Sequence, residues 1–134
     1  GEARATLIRD LYARHYEDVI MSTDGSQKNK SAAFATLLWE ITHQDSTEST
    51  ASGILGDLDF ATGNARFDSS SSVMAIANGW LSTLGDGEGD FLNFAGLRGL
   101  SDPATQDFIT VVPGPAGVMA LVGMAGVRRP RRRR

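Results

Sequence analysis

The chain has 134 residues, with 13 Lys and Arg against 16 Asp and Glu, and no cysteine. Such a length suits one domain with one core. The lack of thiols excludes disulfides, thiolate metal sites and cysteine nucleophiles within it. A net charge of −3 conceals a division: residues 128–134 hold six arginines and no acid, which leaves −9 on the first 127 residues and +6 on the end.

The chain opens on Gly1-Glu2-Ala3, with neither an initiator methionine nor a signal peptide, and reads as a trimmed N-terminus. From Ala5 to Ile20, the apolar positions Leu7, Ile8, Leu11, Tyr12, Tyr16, Val19 and Ile20 follow helical spacing. The polar stretch STDGSQKNK (22–30) breaks that pattern at Gly25. A second helix is expected where Phe34, Leu37, Leu38 and Ile41 recur at i, i+3, i+4 and i+7, with Trp39 beside them. Residues 43–57 read as a polar connection.

DLDFATGNARFD (57–68) alternates around Gly63-Asn64, which predicts a hairpin or short strands. Serines 69–72 offer an N-cap to a third amphipathic helix built on Val73, Ile76, Ala77, Trp80, Leu81 and Leu84 and closed by Gly85. FLNFAGL (91–97) and DFITVV (107–112) read as strands. The expected fold is α+β: about three amphipathic helices with short antiparallel strands over residues 1–112, followed by a C-terminal hydrophobic helix within residues 113–134.

Composition changes sharply at Pro113. Pro113 and Pro115 cannot continue a strand ladder, and Pro115 suits the first position of a helix. Residues 116–127 carry no charge. As a helix they would span ~18 Å, against a hydrocarbon core of ~30 Å. Four Val or Leu residues supply roughly −1 to −2.5 kcal/mol of insertion free energy, while each arginine at the bilayer centre costs about 2.5 to 3.5 kcal/mol. The arginines therefore stay at an interface, and the run is a marginal span of the kind suited to handling and removal. The positive-inside bias places Arg128, Arg129, Arg131, Arg132, Arg133 and Arg134 on the cytoplasmic side and the acidic body outside. Two blander readings stand beside this one: a core or interfacial helix for the apolar run, and a nucleic-acid patch or solvated end for the arginines.

The order of proline turn, apolar run and basic cluster resembles the PEP-CTERM sorting signal of Gram-negative bacteria. The resemblance implies that Pro113, Gly114 and Pro115 stand where Pro-Glu-Pro would be, with Gly114 replacing the glutamate. It also implies an exported protein recognised by a membrane exosortase, anchored at the inner membrane through its C-terminus and then displayed or released at the cell surface. Extracellular polysaccharide is the further partner that this sorting system suggests. The body adds a second resemblance. AAFATLLWEI (32–41) is similar to the AAFQLAIWEI helix of PEP-CTERM proteins with a thioester-domain-like ectodomain, and Phe34, Trp39 and Glu40 carry the match. LIRDLYARHY, ANGWLSTL and TQDFITVVPGP fit the same layout. In such domains a cysteine and a glutamine form an internal thioester. Here Gln106 stands where a late thioester glutamine would lie, Ala35 replaces the helix glutamine, and the required cysteine would lie upstream of Gly1. The chain as given cannot form that bond.

Other constellations carry less. GDGEGD (85–90) spaces Asp86, Glu88 and Asp90 like a calcium loop, but Phe91 and Leu97 occupy the positions where an EF-hand needs Gly and Glu. Asn29-Lys30-Ser31 is a glycosylation sequon by letter only. His15 and His43 have no matched serine or carboxylate motif and are expected at the surface or half-buried. Glu40 is expected to pair with a base or cap a network, and Trp39 and Trp80 to lie in the core. No catalytic residue, metal or cofactor is expected, and the acidic body argues against nucleic acid. The function implied is that of an exported, non-enzymatic envelope protein. The alternatives are an adhesin bonding covalently through a thioester in its intact form, or a tail-anchored membrane protein.

Overall fold

A computed structural model describes residues 1–63, 66–87, 89–100 and 108–111. Its four α-helices are α1 (Glu2–Met21), α2 (Gln27–His43), α3 (Ala51–Asp57) and α4 (Ser71–Leu81), followed by a 3-10 turn at Leu84–Gly87. Two short strands, β1 (Leu97–Leu100) and β2 (Phe108–Val111), form an antiparallel pair. The fold is a small, mostly helical α+β arrangement. It divides into two compact units, Gly1–Phe94 and Ala95–Arg134.

In the first unit, the apolar stripe of α1 places Leu7 and Leu11 at zero exposure, and that of α2 does the same for Ala33, Leu37 and Ile41. Ala77 of α4 is equally covered, and Ile54, Leu58, Phe60, Val73 and Leu84 complete the interior. Each buried Leu or Ile removes enough apolar surface to contribute ~1.5–3 kcal/mol, so this interior is the main stabilising feature. An aromatic group joins α1, α2 and the segment after the 3-10 turn. The Tyr12 ring meets Phe34 edge-on at 4.9 Å and lies 5.8 Å from Phe94.

Several boundaries differ from the sequence expectation. α2 begins at Gln27, inside the stretch expected to be a break. Asp24 Oδ1 accepts from Ser26 N at 3.1 Å and from the Ser26 hydroxyl, so the turn is completed early and the polar residues 27–30 enter the helix. The expected connection 43–57 contains α3, whose N-cap Thr50 accepts from Gly53 N at 3.1 Å. No hairpin forms at 57–68 among the described residues. α3 ends at Asp57, and a turn follows in which Phe67 N donates to Phe60 O at 3.1 Å. Ser70 caps α4 as expected, accepting from Val73 N at 3.4 Å. The helix stops at Leu81, however, and the left-handed Gly85 (φ +66°) lies within the 3-10 turn.

In the second unit, β1 and β2 pair in the register Leu97↔Val111, Arg98↔Thr110, Gly99↔Ile109 and Leu100↔Phe108. The strand expected at 91–97 therefore starts only at Leu97, after Gly96 in the left-handed region (φ +90°). The expectation for 107–112 holds as Phe108–Val111. The expected C-terminal hydrophobic helix lies outside the described residues.

Candidate functional site

The polar residues that fall within the apolar stripes of α1 and α2 are the distinctive chemistry of the helical unit. Asp10 follows Leu7 by three positions, and its carboxylate is fully buried. Its Oδ1 accepts from Arg14 Nε at 2.7 Å and from Leu92 N at 2.8 Å, and its Oδ2 accepts from Gly85 N at 2.8 Å. Arg14 also donates from Nη2 to Asp90 O at 2.9 Å. These two side chains hold Gly85, Asp90 and Leu92 onto α1. Gly89 N and Asp90 N both donate to Gly85 O, at 2.8 and 2.9 Å, which closes the loop on itself. Asp90 is exposed, the side chains of Asp86 and Glu88 lie outside the described residues, and no metal-holding group of His, Cys, Asp and Glu occurs among the described residues.

His15 lies one turn beyond Leu11 and is buried, where it was expected at the surface or half-buried. Its ring stacks on Trp80 at 4.7 Å with 16° between planes, and Trp80 meets Phe34 edge-on at 6.4 Å. His15 Nε2 is 2.8 Å from Thr83 Oγ1, while the Thr83 hydroxyl itself donates to Trp80 O at 2.7 Å. The hydroxyl proton is therefore already committed, so Nε2 carries a hydrogen and donates it to Thr83. That leaves Nδ1 as a buried acceptor without a partner. Burial holds the imidazole below its ordinary range, against the opposing charge of Asp18. The pair has the distance of a nucleophile and its base but the opposite polarity, since the histidine donates. An activated nucleophile needs the reverse arrangement and a third group on the far nitrogen.

The Phe34-Trp39-Glu40 motif is divided by α2. Phe34 and Glu40 face the interior, whereas Trp39 is 53% exposed and stacks on exposed His43 at 4.1 Å. The expectation that Trp39 is a core residue is thereby corrected: with Leu37 and Ile41 defining the buried stripe, position 39 falls on the other side. Glu40 is fully buried, and its Oε1 accepts from Asp59 N at 2.9 Å. Burial pushes its carboxyl up, the Asp59 amide opposes this, and the Asp59 charge adds to it. Gln44, one turn on, donates from Nε2 to Asp57 O at 2.9 Å. Arg4 of α1 caps the end of α2, donating to Ile41 O and, at 2.7 Å, to Gln44 O.

Sequence reasoning singled out Glu40 and His15 but missed Asp10, Arg4, Arg14 and Gln44. The available signal was register. Asp10 sits among Leu7 and Leu11 on one stripe, and Gln44 stands three positions after Ile41 on another. Asn29, the sequon residue, lies in the first turn of α2 with its amide 3.4 Å from Ser72 Oγ. Gln106, Pro113, Gly114, Pro115 and the six arginines lie outside the described residues. Among the described residues no helix is long and apolar enough to cross a membrane. No protein-family model, curated protein or solved structure matches the chain.

Proposed function

We propose that this is an exported, non-enzymatic cell-envelope protein whose segment 113–134 is an address read at the membrane by an exosortase. The observation that carries the reading is the order within that segment: Pro113-Gly114-Pro115, twelve uncharged residues, then six arginines. Charge gives it direction, because the basic end favours the cytoplasmic face and the acidic body the opposite one. The helical unit agrees with a structural rather than a catalytic body. Asp10 and Arg4 bind main-chain groups of the chain itself, and His15 donates to Thr83. The Phe34-Trp39-Glu40 helix belongs to that body and presents one aromatic side chain outward.

The experiment is the C-terminal mass of the protein recovered from its own cells, with and without the exosortase. Loss of the residues beyond the Pro113 region only in the presence of that enzyme is the expected result. Replacing the six arginines of 128–134 by serine should abolish the loss. An intact arginine end under both conditions would make the segment a weak permanent anchor, the tail-anchored alternative, and end the sorting assignment.

A further inference from the structure

Among the described residues, three acceptors are buried without a donor: His15 Nδ1, Glu40 Oε2 and Gln44 Oε1. The last two belong together. Glu40 lies on α2 and Gln44, four positions on, caps its end, with the Gln44 N–H donating to Glu40 O, so the two residues are one turn apart on the same face. Each also spends its other polar atom on the same short piece of main chain, Glu40 Oε1 on Asp59 N and Gln44 Nε2 on Asp57 O. Two acceptors, one helical turn apart, are thus left in the interior without a donor. An ionised glutamate only accepts and cannot satisfy the amide oxygen, whereas a protonated one has a single O–H to give.

We propose that Glu40 keeps a proton on Oε2 in the folded chain and donates it to Gln44 Oε1, so that one proton closes a clamp of α2 on residues 57–63. Reversing the Gln44 amide offers no escape, because it would set Oε1 against the Asp57 carbonyl. Space beside the amide is filled as well. Gly63, in the left-handed region at φ +79°, backs onto Gln44 so closely that a Cβ there would overlap the amide, which leaves no gap on that side for a bridging water.

The surrounding charges favour the neutral acid. From the 57–63 segment, the Asp59 carboxylate opposes a second negative charge nearby while accepting from Ala61 N and Thr62 Oγ1, each at 3.0 Å. Asp57, the one charged residue of α3, accepts from Ser46 Oγ at 2.6 Å. On α1, Arg4 is engaged by main-chain carbonyls, Asp10 pairs with Arg14, and Glu2 pairs with Arg9 at the surface. α4 carries no charged residue, and His43 of α2 is exposed on Trp39. Burial of the Glu40 carboxyl acts in the same direction.

The test uses the full chain with carbon-13 in the glutamate side chains, titrated by NMR and assigned through the backbone. Of its five glutamates, Glu40 should titrate above the ordinary 4.5, with the Gln44 side-chain amide shifting at the same midpoint. Glu40→Gln supplies a permanent donor. The ratio of wild-type to variant folding constants should therefore fall about tenfold per pH unit above 4.5 and level off past the Glu40 midpoint. If the variant does not fold, the carbon titration decides alone. A Glu40 midpoint at or below 4.5, a Gln44 amide indifferent to it, or a pH-independent ratio would each overturn the proposal.

Discussion

At the scale of single residues, the tautomer of His15 makes the fold less stable toward acid. The folded ring holds one proton on Nε2 and buries Nδ1 without a partner, so adding a second proton is opposed. Its folded pKa is depressed from 6.5 by burial, whereas in the unfolded chain the ring titrates normally. The unfolded state thus binds more protons in that window. Stability is fully present above about 6.5 and is lost as pH falls through the folded value. His15→Phe keeps an aromatic face against Trp80 and removes the titration. The wild-type folding constant relative to the variant should then fall by up to about tenfold per pH unit below 6.5. Urea unfolding followed by tryptophan emission measures both, and parallel pH profiles would refute the assignment. This behaviour was not legible from letters: the sequence marks His15 as helical, but the commitment of its ring depends on Thr83, 68 positions away. Glu40 was singled out from the sequence and Asp10 was missed, although the same signal marks both: an acid in an apolar register must find donors or become neutral.

At the scale of elements, the long amphipathic patterns were read correctly, whereas of the short ones the strand at 107–112 held and α3 and the turn at 57–68 were missed. α1, α2 and α4 each carry apolar stripes, and the serine cap of α4 announced its start. α3 escaped notice because its seven residues include two glycines and bury only Ile54 fully. Such a helix is marginal by propensity and depends on its cap. Thr50→Ala should cost about 1 kcal/mol, concentrated in α3. Amide exchange at Gly53 and Ile54 should quicken several-fold while that of Leu37 and Ile41 in α2 changes only with global stability. Uniform acceleration across both helices would show instead that α3 opens only with the whole unit. The alternation at 57–68 misled for a related reason. Leu58 and Phe60 do point inward as a strand pattern requires, but the main chain beside them is claimed by Glu40 and Gln44 rather than by a partner strand.

Across the whole molecule, the division into two compact units, Gly1–Phe94 and Ala95–Arg134, makes a statement about folding. The buried apolar residues of the helical unit run from Leu7 to Leu84. Among the described residues, the polar contacts that close it end at Leu92 N on Asp10, and the aromatic ones end at Phe94 against Tyr12 and Tyr16. A chain ending at residue 94 retains all of these. It should unfold cooperatively in urea, with a midpoint close to that of the full chain. Ending at residue 88 instead strips Leu92 N from Asp10, Asp90 O from Arg14 and the Phe94 ring from two tyrosines. Asp10 and Arg14 still face each other, but a buried carboxylate has lost a donor and an aromatic pocket is opened. Each loss of this kind typically costs ~1–3 kcal/mol, so the shorter fragment should be markedly less stable. Equal stability of the two would mean that residues 89–94 merely lie against the helices. A chain ending at 94 that cannot fold would tie the helical unit to residues beyond it, and the proposal that segment 113–134 is an address separable from the body would then lose its footing.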